Sequence, residues 1–277
     1  MVENMEKDGE VMFAKLSKCF PILLLLLGVF LCITSFAAYF KELEDRNEAI
    51  MVYKEKQDMI KLDATSVLAE IDKESSNTID DARILNKEKM LEKENIKENS
   101  DETNAVNIAL LPESFIYIVD TSISYPVVQG NDNVYYLTHL PDGTENKSGS
   151  IFMNCDNNID DGNVILYGHN MKNGTMFGSM HDYYSVNEFA KNHSILVFKW
   201  QNIVYAYDLI SVKKVLYDDE VYETNPSDIV SWVEKQISSS IETFIDVNSI
   251  SENSKFLTLS TCGSTKEEKL VTVWIRR

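Results

Sequence analysis

"KFLTLSTC", residues 255–262, is a short run of apolar and β-branched residues that ends in a cysteine. Runs of this kind bounded by polar, Gly- or Asn-containing stretches read as β-strands. Seven others share the texture: "FIYIVD" (115–120), "YPVVQG" (125–130), "GSIFMN" (149–154), "NVILYG" (163–168), "SILVFKW" (194–200), "IVYAYDLISVKKVLY" (203–217) and "LVTVWIRR" (270–277). Many short strands separated by Gly, Asn, Asp and Pro clusters indicate a mainly β fold, a barrel or a sandwich. One helix interrupts them. In "NPSDIVSWVEKQISSSI" (225–241), Asn225 suits a cap and Pro226 the first helical position, and Ile229, Val230, Val233 and Ile237 make one apolar face. Residues 108–277 are long enough to bury a core of their own.

The whole chain has 277 residues and a formal net charge of −18. That balance argues against a nucleic-acid partner, which needs a basic face. The four cysteines, Cys19, Cys32, Cys155 and Cys262, form no CxxC pair, and the four histidines, His139, His169, His181 and His193, no HExxH pattern. The reading therefore includes no metal site and no cofactor.

Residues 19–40, "CFPILLLLLGVFLCITSFAAYF", carry no charge. As a helix this run covers about 33 Å, enough for a hydrocarbon core of about 30 Å. A cleaved leader has a shorter apolar core, about 7–15 residues. The expectation is a retained single-pass anchor, with residues 1–18 as a cytoplasmic tail and the larger C-terminal part outside the cell. Cys19 and Cys32 then serve as apolar filler. Residues 41–107 are rich in Lys, Glu, Asp and Asn. They read as a charged, helical or flexible stalk. "VYKEKQDMIKLDATSVLAEIDKE" (52–74) holds apolar positions at Val52, Met59, Ile60, Leu62, Val67, Leu68 and Ile71 that fit a helical face able to dock on the domain. "NKEKMLEKENIKENSDET" (86–103) is more polar.

Cys262 closes its strand and precedes "GSTKEEK", a loop-like stretch. A reactive thiol needs partial exposure, a base or positive neighbour, and donors for the oxyanion. A strand end offers the first. Buried free cysteine is the commoner case. His169 follows the β-run "NVILYG" and so stands at another strand end. His139 lies in a turn, and His181 and His193 in polar connections.

"TLSTC" (258–262) resembles the TLxTC signature of sortases, membrane-anchored cysteine transpeptidases of Gram-positive bacteria, and "YGHN" (167–170) resembles their histidine segment. The order, His169 before Cys262, agrees. "SYPVVQGNDNVYYL" (124–137), "GSIFMN" and "ILYGHNMKNGTMFGSM" (165–180) are similar to class B sortases in particular, as is a helix near 226–241. The resemblance spans residues 108–277. It implies a closed β-barrel with peripheral helices behind a helical stalk and one transmembrane helix.

The resemblance also implies the chemistry, grouped with the thiol peptidases. Cys262 attacks a C-terminal sorting signal of the NPxTx kind and forms a thioacyl intermediate, with His169 as the acid–base group. An amine of a peptidoglycan precursor or a pilin then accepts the surface protein. Thr261 and Asn170 are the implied substrate-binding residues. Sortases carry an arginine at the start of the strand after the cysteine loop. Here the loop "GSTKEE" is short and Lys269 aligns with that arginine, bringing charge but no planar fork. Arg276 and Arg277 lie roughly 20–25 Å further along the strand. Two alternatives follow: a sortase-like binding or scaffold protein with impaired catalysis, and a hydrolytic cysteine protease of the same fold. Cys155 reads as a free, mostly buried thiol, since a disulfide to Cys262 would block the nucleophile.

Overall fold

The computed structural model describes residues 2–74, 112–186, 188–201, 203–241, 250–263 and 267–277. The whole of the stalk beyond residue 74, with the polar stretch 86–103, and the middle of the loop after Cys262 lie outside the described residues. The chain divides into two compact units, Met1–Glu48 and Ala49–Arg277.

The first unit is helical. Helix α1 (Val2–Glu74) begins in it and continues into the second. From Leu24 onward α1 is long and apolar enough to cross a membrane. Leu24, Leu25, Leu26, Leu27, Phe30 and Phe36 are all exposed, as the side chains of a lipid-facing helix are.

The second unit is a closed barrel of eight strands, in the order β1-β2-β3-β4-β7-β8-β6-β5. They are β1 (Phe115–Ile118), β2 (Ser124–Gln129), β3 (Ile151–Met153), β4 (Asn163–Tyr167), β5 (Ile195–Trp200), β6 (Ile203–Leu216), β7 (Phe256–Cys262) and β8 (Glu268–Arg276). Pairing of β1 with β5 closes the ring, which leaves no open sheet edge. Two pairs are parallel, β2 with β3 and β4 with β7. A parallel pair needs a crossover. The one from β4 to β7 carries the short helices α2 (Asp182–Ser185) and α3 (Phe189–Asn192), then β5, β6 and helix α4 (Ile229–Ser238).

Alternation along the strands sorts their side chains into two layers. Ile116, Ile118, Val164, Leu166, Leu257, Leu259 and Trp274 join the interior cluster. Phe256, Val271 and Val273 face outward and are covered by Trp232, Val233 and Ile237 of α4. The helix starts later than Asn225 and Pro226 suggest. Asp228 is its cap, accepting from Ser231 N at 2.9 Å. Asn225 is engaged elsewhere, its Oδ1 accepting from Gly162 N at 2.9 Å and its Nδ2 donating to Asp161 Oδ1 at 2.9 Å. Trp232 adds to the expected aliphatic face because its Nε1–H donates to Glu220 O at 2.9 Å, which satisfies its one polar group.

The C-terminal part of α1 packs on the barrel. Ile60 and Ala64 are fully buried against Phe115, Tyr117 and Val197 on the outer faces of β1 and β5, with Leu68 beside them. Ala49 and Tyr53 join the interior cluster. These positions fall on one helical face, and Leu62 lies off it at 76% exposure. Lys199 on β5 reaches Asp63 Oδ2 at 3.5 Å. Ile60→Ala is therefore expected to cost about 2–5 kcal/mol, as buried large-to-small changes do. Leu62→Ala should stay within about 0.5 kcal/mol. Chemical unfolding of the full chain in detergent measures both, and equal losses would mean that this face does not dock.

Candidate active site

The parallel pairing of β4 and β7 runs in register from Asn163↔Phe256 to Tyr167↔Ser260. Carried two residues further, the register sets His169 beside Cys262, at about the 4.8 Å spacing of neighbouring strands. Three hydrogen bonds hold this extension. Gly168 N donates to Ser260 O at 3.2 Å, Thr261 Oγ1 to Gly168 O at 2.7 Å, and Asn170 Nδ2 to Cys262 O at 2.7 Å. Gly168 has no room for a side chain, since a Cβ there would lie 2.4 Å from Ile151 Cδ1 and 2.7 Å from Phe177 Cδ2. Thr261 is buried, and like Asn170 it uses its side chain to tie the two strand ends together.

Cys262 is exposed and free. Its cross-strand partner on β8 is Lys269, and the register Phe256↔Ile275 to Cys262↔Lys269 is unbroken. Lys269 Nζ lies 3.5 Å from Cys262 Sγ. The ammonium is thus the positive neighbour of the sulfur. It also stands where negative charge would develop on a carbonyl attacked by the sulfur. Arg276 and Arg277 are occupied at the far end of β8. Arg276 Nη2 donates to Ile159 O at 2.9 Å and its guanidinium lies 4.2 Å from the Tyr205 ring centroid. Arg277 pairs with Asp208 at 2.7 Å.

His169 is half-buried, and its Nε2 donates to Leu137 O at 2.6 Å. A carbonyl only accepts, so the bond fixes the Nε2–H tautomer of the neutral ring and leaves Nδ1 as the acceptor. The other histidines are engaged locally. His139 stacks on Tyr135 at 3.9 Å, His181 Nδ1 bonds Ser185 Oγ at 3.0 Å, and His193 Nδ1 bonds Val119 O at 3.1 Å. Cys155 is half-buried rather than mostly buried, and it is free. Burial, with Asp156 beside it, pushes its thiol pKa up, which disfavours the thiolate.

Three residues not foreseen from the sequence share the outer face with Cys262 and His169. Tyr167 and Ser260 are each two positions before them, hence on the same side of their strands. Tyr222, from the turn Glu220–Tyr222, shares a hydrogen bond of 2.8 Å with Ser260 Oγ, and its ring stacks near Tyr167 at 6.4 Å. Burial pushes the Tyr222 hydroxyl up to about 12, so it remains a donor at neutral pH. The turn is held from beneath. Asp219 Oδ1 accepts from Val221 N at 2.9 Å and from Lys213 Nζ at 3.1 Å. Lys213 is itself buried, which lowers its pKa, and it also donates to Gln236 Oε1 on α4. Among the described residues no three His, Cys, Asp or Glu side chains converge as metal ligands.

The sequence model of the Sortase domain family matches residues 116–274. Sortase B of Listeria monocytogenes is 31% identical over 158 residues, which cover 55% of this chain and 63% of the relative. Sortase B of Staphylococcus aureus is 31% identical over 159 residues, 56% of this chain and 64% of the relative. The chain thus matches somewhat less than two thirds of the length of each. The X-ray structure of Clostridium perfringens sortase B superposes with a TM-score of 0.55 at 29% identity, over 64% of this chain and 100% of that one. The matched region contains both strand ends and all eight strands but the first residue of β1 and the last two of β8, and the chain belongs to the sortase family, among its class B members.

Proposed function

We propose that the chain is a membrane-anchored cysteine transpeptidase, and the observation that carries this reading is the exposed Cys262 sulfur 3.5 Å from the Lys269 ammonium. The Cys262 thiol passes its proton to His169 and the thiolate attacks a peptide carbonyl in a sorting signal. The tetrahedral oxyanion is offset by Lys269. Collapse breaks the C–N bond, and the leaving amine takes the proton from His169. The thioacyl group is then attacked by an acceptor amine, which gives its proton to His169 as the C–S bond breaks, and His169 returns that proton to the Cys262 thiolate. Atoms and protons balance over the two halves without an added cofactor.

The signal fits the NPxTx kind associated with class B, and the acceptor is an amine of a peptidoglycan precursor or a pilin. Thr261 and Asn170 support substrate binding by fixing the Cys262 strand end rather than by offering free side chains. Residues 1–18 form the cytoplasmic tail, 19–40 the span and 41–107 the connecting segment, so that the domain from 108 on faces outward. The sulfur–ammonium contact favours catalysis over a scaffold role. Whether water or an amine resolves the thioacyl group separates the transpeptidase from a hydrolytic protease of the same fold.

Steady-state kinetics with a quenched NPxTx peptide, with and without a glycine or diaminopimelate amine, tests the reading. Cys262→Ala should abolish turnover and Cys155→Ala leave it intact. His169→Ala should lower kcat about 10²–10⁴-fold. Lys269→Ala should lower it on the order of 10²–10³-fold, with Lys269→Arg close to the parent. Equal rates for the parent and Lys269→Ala would remove the electrostatic role. For topology, protease treatment of intact cells should remove a C-terminal tag, and a protected tag would reverse the orientation.

A further inference from the structure

Tyr53 lies on the docked part of α1, yet two series of contacts lead from it to His169. In the first, its hydroxyl donates to Gly149 O at 2.8 Å. Gly149 has φ +58°, in the left-handed region that glycine tolerates, and a Cβ there would lie 2.6 Å from both Leu137 O and Tyr136 O. Its backbone therefore presses directly on the turn Tyr135–Leu137. The next residue, Ser150, binds the same turn through its N, which donates to Tyr136 O at 2.9 Å, and the segment just after it through its Oγ, which donates to His139 O at 2.8 Å. Leu137 O is the acceptor of the His169 imidazole.

In the second series, the Tyr53 ring stands edge-on to Tyr125, at 5.2 Å and 81°. The Tyr125 hydroxyl accepts from Met176 N at 2.8 Å. Met176 bridges Asn170, and Phe177 N donates to His169 O at 2.9 Å. One side chain thus bears on the imidazole's acceptor and on the loop that fixes the His169 backbone. Tyr53 is only 3% exposed, and burial keeps its hydroxyl protonated by pushing its pKa far up. Helix packing alone would need only an apolar ring here. The hydroxyl aimed at Gly149 O is the added feature.

We infer that Tyr53 is a positioning residue for His169, so that docking of α1 on the barrel sets the orientation of the acid–base imidazole. The inference rests on the proposed role of His169 for its effect on rate, but not for its effect on geometry. Tyr53→Phe keeps the ring and removes the hydroxyl. Tyr125→Phe removes the acceptor of the second series. Asp63→Asn is the control, since it loses the ion pair with Lys199 on the same helix and touches neither series.

The full chain in detergent, with isotope-labelled histidine side chains, gives an NMR readout independent of turnover. Tyr53→Phe and Tyr125→Phe should each shift or broaden the His169 imidazole nitrogen resonances and leave those of His181 in place. In turnover they should lower kcat about 10- to 100-fold with KM for the peptide unchanged, the size of effect a small misplacement produces. Asp63→Asn should do neither. Unchanged His169 resonances in both tyrosine variants would overturn the inference. So would an equal shift in Asp63→Asn, which would mark a general loosening of the helix. If the parent chain turns nothing over, the functional reading fails, and the resonances alone decide the positioning role.

Discussion

The parallel pairing of β4 with β7 is the constraint on which the site depends. It brings together two strand ends that are far apart in the chain and fixes which residues meet there. Because the register runs Tyr167↔Ser260, the residue after Gly168 stands next to the last residue of β7. Slipping the register by one residue would turn Cys262 to the opposite face of the sheet. The Thr258 hydroxyl bonded to Asn163 Oδ1 at 2.8 Å and the Thr261 hydroxyl bonded to Gly168 O oppose such a slip. Both bonds are buried, where an unmade hydrogen bond costs about 1–3 kcal/mol. The threonines of "TLSTC" thus act on the frame that places Cys262.

The antiparallel β7–β8 pair adds the charge. Lys269 opposes Cys262 across the ladder, and the backbone bond from Gly263 N to Glu268 O at 2.7 Å closes the hairpin just beyond them. A short connection between these strands has a physical consequence. The cation is delivered by the ladder register itself, from the position directly opposite the sulfur. The aromatic pair Tyr167 and Tyr222 then borders the same outer face, held by the buried node of Lys213, Asp219 and Gln236.

Much of this was legible in the sequence, for reasons that differ by residue. The eight β-runs stood out because strands buried on both faces read as short, continuous apolar and β-branched runs punctuated by turn residues. Cys262 and His169 were legible as strand ends, and Lys269 as a residue at the start of the next strand. Tyr222 was not, because it reaches Ser260 from a turn whose place is set by a buried lysine and not by local pattern. The helix cap moved from Asn225 to Asp228 because Asn225 is used in a tertiary contact with Gly162 and Asp161. On α1, the apolar positions Ile60 and Leu68 were visible. Tyr53 and Ala64 were not, since a lone tyrosine or alanine in a charged helix carries no signal of docking.

Under the proposed reaction, the β4–β7 pairing makes Cys262 a nucleophile whose acyl group passes to an amine. Intact-mass analysis of the full chain in detergent, incubated with an NPxTx peptide and then with an amine, tests it most directly. An acyl adduct mapped to Cys262 is expected, and it should disappear on addition of the amine with formation of a new amide. An adduct on Cys155, no adduct at all, or release only as the free acid would contradict it.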